Sequence, residues 1–215
     1  MQVYNTLKVP CERERLMHIR HHIIGGGAIS DELAQMIKPL PNAVWSTYGM
    51  TETLSHIALR RLNGPDASLW YTPFDGVGIS LNADGCLVID APEVCAEPLV
   101  TNDIAQLRTD DRTGKTLFRI KGRKDNVVCS GGIKIQIEEV EETLRPHLSS
   151  PFMIVKKQDE MLGEKAVLLT ESADLTHIEE ICRNTLPKYW VPREFLHIDH
   201  LPLTETGKPK RSGAF

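Results

Sequence analysis

The hydrophobic period of this chain changes twice along its length, and no other feature constrains its fold as strongly. Up to residue 69, short apolar runs alternate with helical spacing. "HHIIGGGAIS" reads as a short buried strand over residues 23–24 that breaks into Gly25, Gly26 and Gly27. Ser30 is then an N-cap candidate for a helix with Leu33, Met36 and Ile37 on one face, stopped by Pro39 and Pro41. "AVWSTYG" is a second strand, a helix can start near Thr51, and "IALRRLNGP" can be a strand. This rhythm implies an α/β layer.

From Trp70 the period becomes two. "GVGISLNADGCLVIDAP" alternates around Ala83, Asp84 and Gly85, and "AQLRTDDRTGKTLFRIKGR" does so around Arg112, Thr113 and Gly114. Both patterns predict hairpins of a small β-subdomain. After Asp125 the texture changes again. "NVVCSGGIKIQ" predicts strand, glycine turn and strand; Ile137, Val140 and Leu144 then mark a helix face closed by Pro146. Residues 152–157 and 166–170 read as strands, Asp174 caps a helix carrying Leu175, Ile178 and Ile181, and "EFLHI" is a last strand. The organisation expected is α/β over 1–69 with a β-subdomain over 70–123, then a compact α+β domain over 124–215.

Composition excludes several classes. The net charge of −4 is spread along the chain, which argues against a nucleic-acid partner. No apolar run is long enough for a membrane span, and the charged start carries no signal-peptide pattern. Five scattered cysteines without a Cys-x-x-Cys suit a reduced, cytoplasmic setting and offer no zinc site. The eight histidines form no ligand set.

Four stretches can carry chemistry. "WSTYGMTET" puts Glu52 among Thr47, Thr51 and Thr53 after a Tyr48-Gly49 turn. One carboxylate among hydroxyls suits Mg²⁺, which shares substrate phosphates; a helix cap with Glu52 at the dipole's positive end reads equally well. "GGGAI" and "CSGG" allow close backbone approach to a ligand, but tight turns need glycine too. "PLTETGKPKR" carries Lys208, Lys210 and Arg211 in a polar loop, which is either a solvated surface or a cation delivered to phosphate or carboxylate.

"YGMTET", "TND", "GRKDNVVCSGGIKIQIEEVE" and "PLTETGK" occur in that order. Over nearly the whole chain that order resembles the adenylate-forming enzymes: acyl-CoA synthetases, peptide-synthetase adenylation domains and luciferases. Loop lengths and "YGMTETLSHIAL" are most similar to the o-succinylbenzoate–CoA ligases of menaquinone biosynthesis. The resemblance implies ATP, Mg²⁺ and coenzyme A: a carboxylic acid attacks the α-phosphate, pyrophosphate leaves, and the coenzyme A thiol displaces AMP.

By the same resemblance, Gly26, Gly27, Tyr48, Gly49, Asp103 and Arg123 would bind the nucleotide, with Tyr48 on adenine and Asp103 and Arg123 on the ribose. Thr51 would bond the phosphate, Glu52 would hold Mg²⁺, and Lys208 would bridge carboxylate and α-phosphate. Asp125 would be the hinge to a mobile small domain, and Gly131 and Gly132 would border a pantetheine tunnel. Ser46, His56 and the loop of Gly25, Gly26 and Gly27 are candidates for the acid pocket.

Three departures stand out. Asn102 replaces a usual Gly, Ile137 replaces a usual Pro, and the upstream Ser/Thr/Gly-rich phosphate loop is missing. The chain therefore reads as the C-terminal portion of a longer enzyme. Alone it is expected to be inactive and to self-associate through apolar surface meant for the missing N-terminal half. Two alternatives remain: an adenylation domain loading a carrier protein, or a non-catalytic module that binds a nucleotide or partner.

Overall fold

A computed structural model describes residues 2–25, 29, 31–204 and 210–211. Gly26, Gly27, Ser30 and Lys208 lie outside the described residues. The fold is mixed α/β, as the periodicity predicts, and the chain divides into two compact units, Met1–Ile120 and Lys121–Phe215.

The first unit opens on two short helices that the sequence reading missed, α1 (Gln2–Lys8) and α2 (Pro10–Leu16). Only a few apolar residues anchor them, chiefly Leu7, which packs with Leu33, Ile37, Leu40 and Val44. Strand β1 (His21–Ile24) pairs in parallel with β2 (Ala43–Gly49), and α3 (Asp31–Ile37) makes the crossover. β2 pairs antiparallel with β3 (His56–Arg61), and β3 with β4 (Thr72–Pro73), so the sheet order is β1-β2-β3-β4. β1 is an edge strand. The expectation that residues 23–24 are buried is wrong for Ile23, which is 57% exposed because β1 has a strand on one side only.

A second sheet runs β5 (Gly78–Leu81), β6 (Cys86–Asp90), β7 (Leu99–Thr109) and β8 (Thr116–Arg123) in order. Its hairpins sit at the expected turns, with Gly85 and Gly114 at positive φ. The two sheets share one core, in which Ile57 and Ala58 of β3 meet Leu87, Ile89 and Phe118. A bridge between Tyr71 and Phe118 joins their backbones.

The second unit begins in the last residues of β8 and continues through a 3₁₀ turn, Lys124–Asn126. Strands β9 (Val127–Ser130) and β10 (Ile133–Gln136) form a hairpin, followed by α4 (Ile137–Leu144). Then come β11 (Phe152–Asp159), β12 (Gly163–Thr170), α5 (Leu175–Thr185) and β13 (Glu194–His197). β12 lies between β11 on one side and β9 and β13 on the other. Alternation is strict. Ile154, Ala166 and Leu168 face Val140, Leu144, Ile178 and Cys182 of the two helices. Met153, Val155, Val167 and Leu169 face Leu196, Ile198 and Leu201. Among the described residues no helix is long and apolar enough to cross a membrane.

Candidate functional site

The site in the first unit starts where β2 runs out. Gly49 is required there by close approach: a Cβ would meet the Ser55 carbonyl and lie 2.6 Å from the Cα of His56. The register slips at this point, because Tyr48 pairs with Ala58 while Gly49 pairs with His56. The bulge turns the chain into a single 3₁₀ turn, Thr51–Thr53, and of the two readings left open, a helix from Thr51 or a strand over "IALRR", the strand forms. A single 3₁₀ turn has little macrodipole for Glu52 to complement, and the capping contact there is made by Thr53.

Thr53 organises the turn. It is buried, its hydroxyl oxygen accepts from the Met50 N–H at 3.0 Å, and that oxygen lies 2.7 Å from the Ser55 carbonyl. Leu54 closes the turn at φ +59°, the one left-handed non-glycine among the described residues. Such a conformation costs on the order of 1–2 kcal/mol for a residue with a Cβ. Thr51 and Glu52 are left exposed at the apex, and among the described residues neither side chain makes a hydrogen bond or ion pair. The backbone carbonyl of Glu52 accepts from the Cys95 thiol at 3.0 Å.

Tyr48 points the other way. Its ring meets Phe118 edge-on at 5.1 Å and Tyr71 at 5.9 Å, and its hydroxyl donates to Asp103 Oδ2 at 2.6 Å. Asp103 owes its place to a second irregularity. Cys86 pairs with Ile104 and Val88 with Val100, so Thr101, Asn102 and Asp103 together oppose Leu87. Extra residues in one strand bend it and re-aim its side chains. The Thr101 hydroxyl accepts from the Asp103 N–H at 3.1 Å and steadies the bulge. Asn102 is exposed and not at positive φ, so this turn makes no backbone demand for glycine.

The fold thus brings Tyr48 and Asp103 together and places Thr51 and Glu52 within four residues of Tyr48. Sequence reasoning did not find Tyr71 and Phe118, which stack at 5.3 Å behind Tyr48. Nor did it find the real partner of Ser46, whose buried hydroxyl lies 3.0 Å from the Tyr71 hydroxyl. A small polar residue facing inward from β2 was the available signal. His56 is exposed, beside Ser55 and against the edge of Phe74. Gly25 is a close-approach glycine, since a Cβ would fall 2.8 Å from Thr47 Oγ1. Gly26 and Gly27 lie outside the described residues.

Among the described residues no group of three His, Cys, Asp or Glu could cage a metal. What Glu52 offers is one exposed carboxylate beside a threonine hydroxyl. That donor set fits Mg²⁺, which keeps waters and takes phosphate oxygens, and does not fit a zinc or calcium cage.

The second unit holds the remaining residues of interest. Arg123 donates to Asp125 Oδ2 at 3.0 Å, both half exposed. Around them Gln136 Nε2 donates to the Arg123 carbonyl at 3.1 Å, and Glu138 accepts from both Gln136 and Asn126. Gly122 makes room for this cluster, since a Cβ there would sit 2.6 Å from Glu138 Oε2. Gly131 and Gly132 are the two central residues of the β9–β10 hairpin, at φ +57° and +84°. Both left-handed angles belong to a type I′ turn, so the glycines are needed for folding whatever else they do. Lys208 lies outside the described residues.

Comparison with known proteins adds the class. No protein-family profile matches the chain. A naringenin synthase of Pestalotiopsis fici is 29% identical over 91% of this chain and 8% of its own. A 2-succinylbenzoate–CoA ligase of Listeria monocytogenes is 23% identical over 91% of this chain and 45% of its own. Among solved structures, an acyl-CoA synthetase (AMP-forming)/AMP-acid ligase II-like protein from Dyadobacter fermentans aligns at 28% identity and TM-score 0.56, over 99% of this chain and 62% of that one. An O-succinylbenzoate coenzyme A synthetase from Bacillus subtilis, solved with ATP and magnesium ion, shares the fold at TM-score 0.69 and 21% identity, over 95% of this chain and 50% of that one. The chain's relatives include CoA ligases, and its structural neighbours include AMP-forming acyl-CoA synthetases. o-Succinylbenzoate–CoA ligases are among them, and this chain spans less than half the length of those curated relatives.

Proposed function

We propose that the chain is part of an ATP-dependent acid–CoA ligase that forms AMP, with o-succinylbenzoate as the acid. The observation that carries this reading is the Tyr48–Asp103 hydrogen bond beside the exposed Thr51–Glu52 apex, in a chain whose relatives include such ligases. Tyr48 presents an aromatic surface to adenine, and Asp103, with Arg123, takes the ribose hydroxyls. Thr51 donates to a phosphate oxygen. Mg²⁺ bound at Glu52 would supply charge neutralisation on the polyphosphate. Lys208 bridges the acid carboxylate and α-phosphate, where charge concentrates as they join. Coenzyme A reaches the adenylate past Gly131 and Gly132 after a rotation at Asp125.

The test is acid-dependent ATP–pyrophosphate exchange by the complete gene product, over o-succinylbenzoate and a panel of aryl and short-chain carboxylates. o-Succinylbenzoate should give the fastest exchange, and Glu52→Gln should slow it about 10²-fold or more. Thioester should appear with free coenzyme A and not with a phosphopantetheinyl carrier protein. Exchange that ignores every acid, or survives loss of the Glu52 charge, would sink the reading.

A further inference from the structure

Strand β3 carries three side chains that can be cationic, and the fold commits two of them. Arg60 donates to the Ser68 carbonyl at 3.2 Å and lies over the Tyr71 ring at 5.2 Å. Arg61 donates to Asn63 Oδ1 at 3.0 Å and lies over the Trp45 ring at 5.2 Å. His56 is the third. It opens the strand, four residues after Glu52, and it is exposed. Among the described residues its Nε2 makes no hydrogen bond or ion pair.

The ring is nevertheless held. Ser55 Oγ lies 3.1 Å from His56 Nδ1, and the Ser55 carbonyl lies 2.7 Å from the Thr53 hydroxyl that organises the turn. Phe74 meets the imidazole edge-on, 5.7 Å between centroids. When the Ser55 hydroxyl donates to Nδ1, a neutral imidazole carries its proton on Nε2; in the imidazolium Nδ1 donates to Ser55, and Nε2 keeps its N–H. In both forms Nε2 is a donor with nothing to donate to. Gly49 is the residue paired with His56 across β2, and it brings no side chain against the ring. Phe74 is 38% exposed and offers apolar surface beside the donor. The acid next to it, Asp75, is paired with Lys115 at 2.6 Å.

We propose that His56, with Phe74 beside it, reads the aryl carboxylate of the acid: Nε2–H donates to the carboxylate that does not react, and the aromatic ring of the acid covers Phe74. This rests on the ligase reading above. o-Succinylbenzoate has two carboxylates, one on the succinyl chain and one on the ring. The first joins the α-phosphate. The second stays ionised, and an ionised carboxylate taken out of water needs a donor or a cation. A donor placed for it also sets specificity, because an analogue without that carboxylate leaves the donor unpaired.

The test uses the complete gene product and two acids, o-succinylbenzoate and benzoylpropionate, which is the same acid without its ring carboxylate. Acid-dependent ATP–pyrophosphate exchange gives the ratio of the two kcat/KM values. His56→Ala should shrink the wild-type preference for o-succinylbenzoate by about 10–10²-fold, mainly through a higher KM for that acid. His56→Leu refills the space beside Phe74 without a donor and should shrink it as far, which covers the case of an alanine variant that does not fold. His56→Gln keeps an N–H donor and should retain most of the preference. An unchanged ratio in the Ala and Leu variants overturns the proposal, and so does a Gln variant as impaired as the Leu variant. The level of failure is read from the wild type. If it exchanges o-succinylbenzoate well and only the variants disappoint, the role of His56 fails alone; if it exchanges neither acid, the ligase reading fails and this proposal with it.

Discussion

Tyr48 does two things with one side chain, and they can be separated. The ring packs on Phe118 and Tyr71, and the hydroxyl holds Asp103 at 2.6 Å. Tyr48→Phe keeps the ring and removes the hold. A hydrogen bond to a carboxylate contributes about 1.5–3 kcal/mol. In the complete protein the variant should raise the KM for ATP several-fold and narrow the preference for ATP over 2′-deoxy-ATP, with kcat little changed. Steady-state exchange with both nucleotides measures this; an unchanged preference would mean that the hydroxyl does not set the ribose contact. Tyr48, Glu52 and Asp103 were visible in the sequence because each sits in a short motif. The pairing of Glu141 with Arg211 at 2.8 Å was not, because 70 residues separate the two: Arg211 stood out only as one cation of a polar loop, and Glu141 not at all. The buried stripe of Ile137, Val140, Glu141 and Leu144 was the clue, since an acid at the centre of an apolar face demands a cation.

Among the elements, strands and hairpins were the most legible, because alternation and turn chemistry agree on them. Glycines at φ > 0 close three hairpins where the sequence predicts turns, at Gly85, Gly114 and Gly131-Gly132. Helices were legible only where an apolar face was dense. α4 and α5 have one, and the Asp174 side chain accepts from the His177 N–H as its predicted capping role requires. α2, "PCERERL", has no buried residue and offered nothing periodic to read. β13 is a short edge strand, paired with β12 over four residues. Glu194 on β13 takes Lys157 of β11 at 3.1 Å and Lys165 of β12 at 3.0 Å, stitching three strands together. Lys165 first, then Lys157, hold the Glu194 carboxyl below its ordinary range, and Glu194 holds Lys165 above its own. The lowered acid contributes stability in full above its unfolded value near 4.3, and loses it as pH falls through the folded one. The raised lysine contributes fully below about 10.4 and loses it as pH rises. Wild type should therefore exceed Glu194→Gln in Tm by a constant margin between about pH 6 and 9, and the margin should close below about pH 4. Thermal melts of both proteins across that range measure it; a margin that widens in acid would contradict the assignment.

At the scale of the whole molecule, the division into two units after Ile120 falls inside β8, and the 3₁₀ turn Lys124–Asn126 follows at once. Asp125 at the middle of that turn pairs with Arg123, a surface ion pair of the kind that contributes about 0–1 kcal/mol. The stronger restraint flanks it. Gln136 holds the Arg123 carbonyl on one side, and Glu138 holds Asn126 on the other. If, as proposed, the small unit rotates about Asp125, the first bond would break and the second could persist, since Arg123 precedes that pivot and Asn126 follows it. Asp125→Pro fixes φ near −65° and should restrict that rotation. The turn closes through the Val127 N–H on the Lys124 carbonyl, a bond that proline at 125 leaves in place, so the turn should survive the change. In the complete enzyme, acid-dependent exchange should stay within a few-fold of wild type, while thioester formation from pre-formed adenylate should fall by about 10-fold or more. Gln136→Leu acts on the other term, removing the restraint while leaving the backbone free, and should slow neither half-reaction through the pivot itself. Stopped-flow measurement of the two half-reactions decides the matter. If Asp125→Pro slows both equally, or if Gln136→Leu reproduces its split, the rotation is not about Asp125.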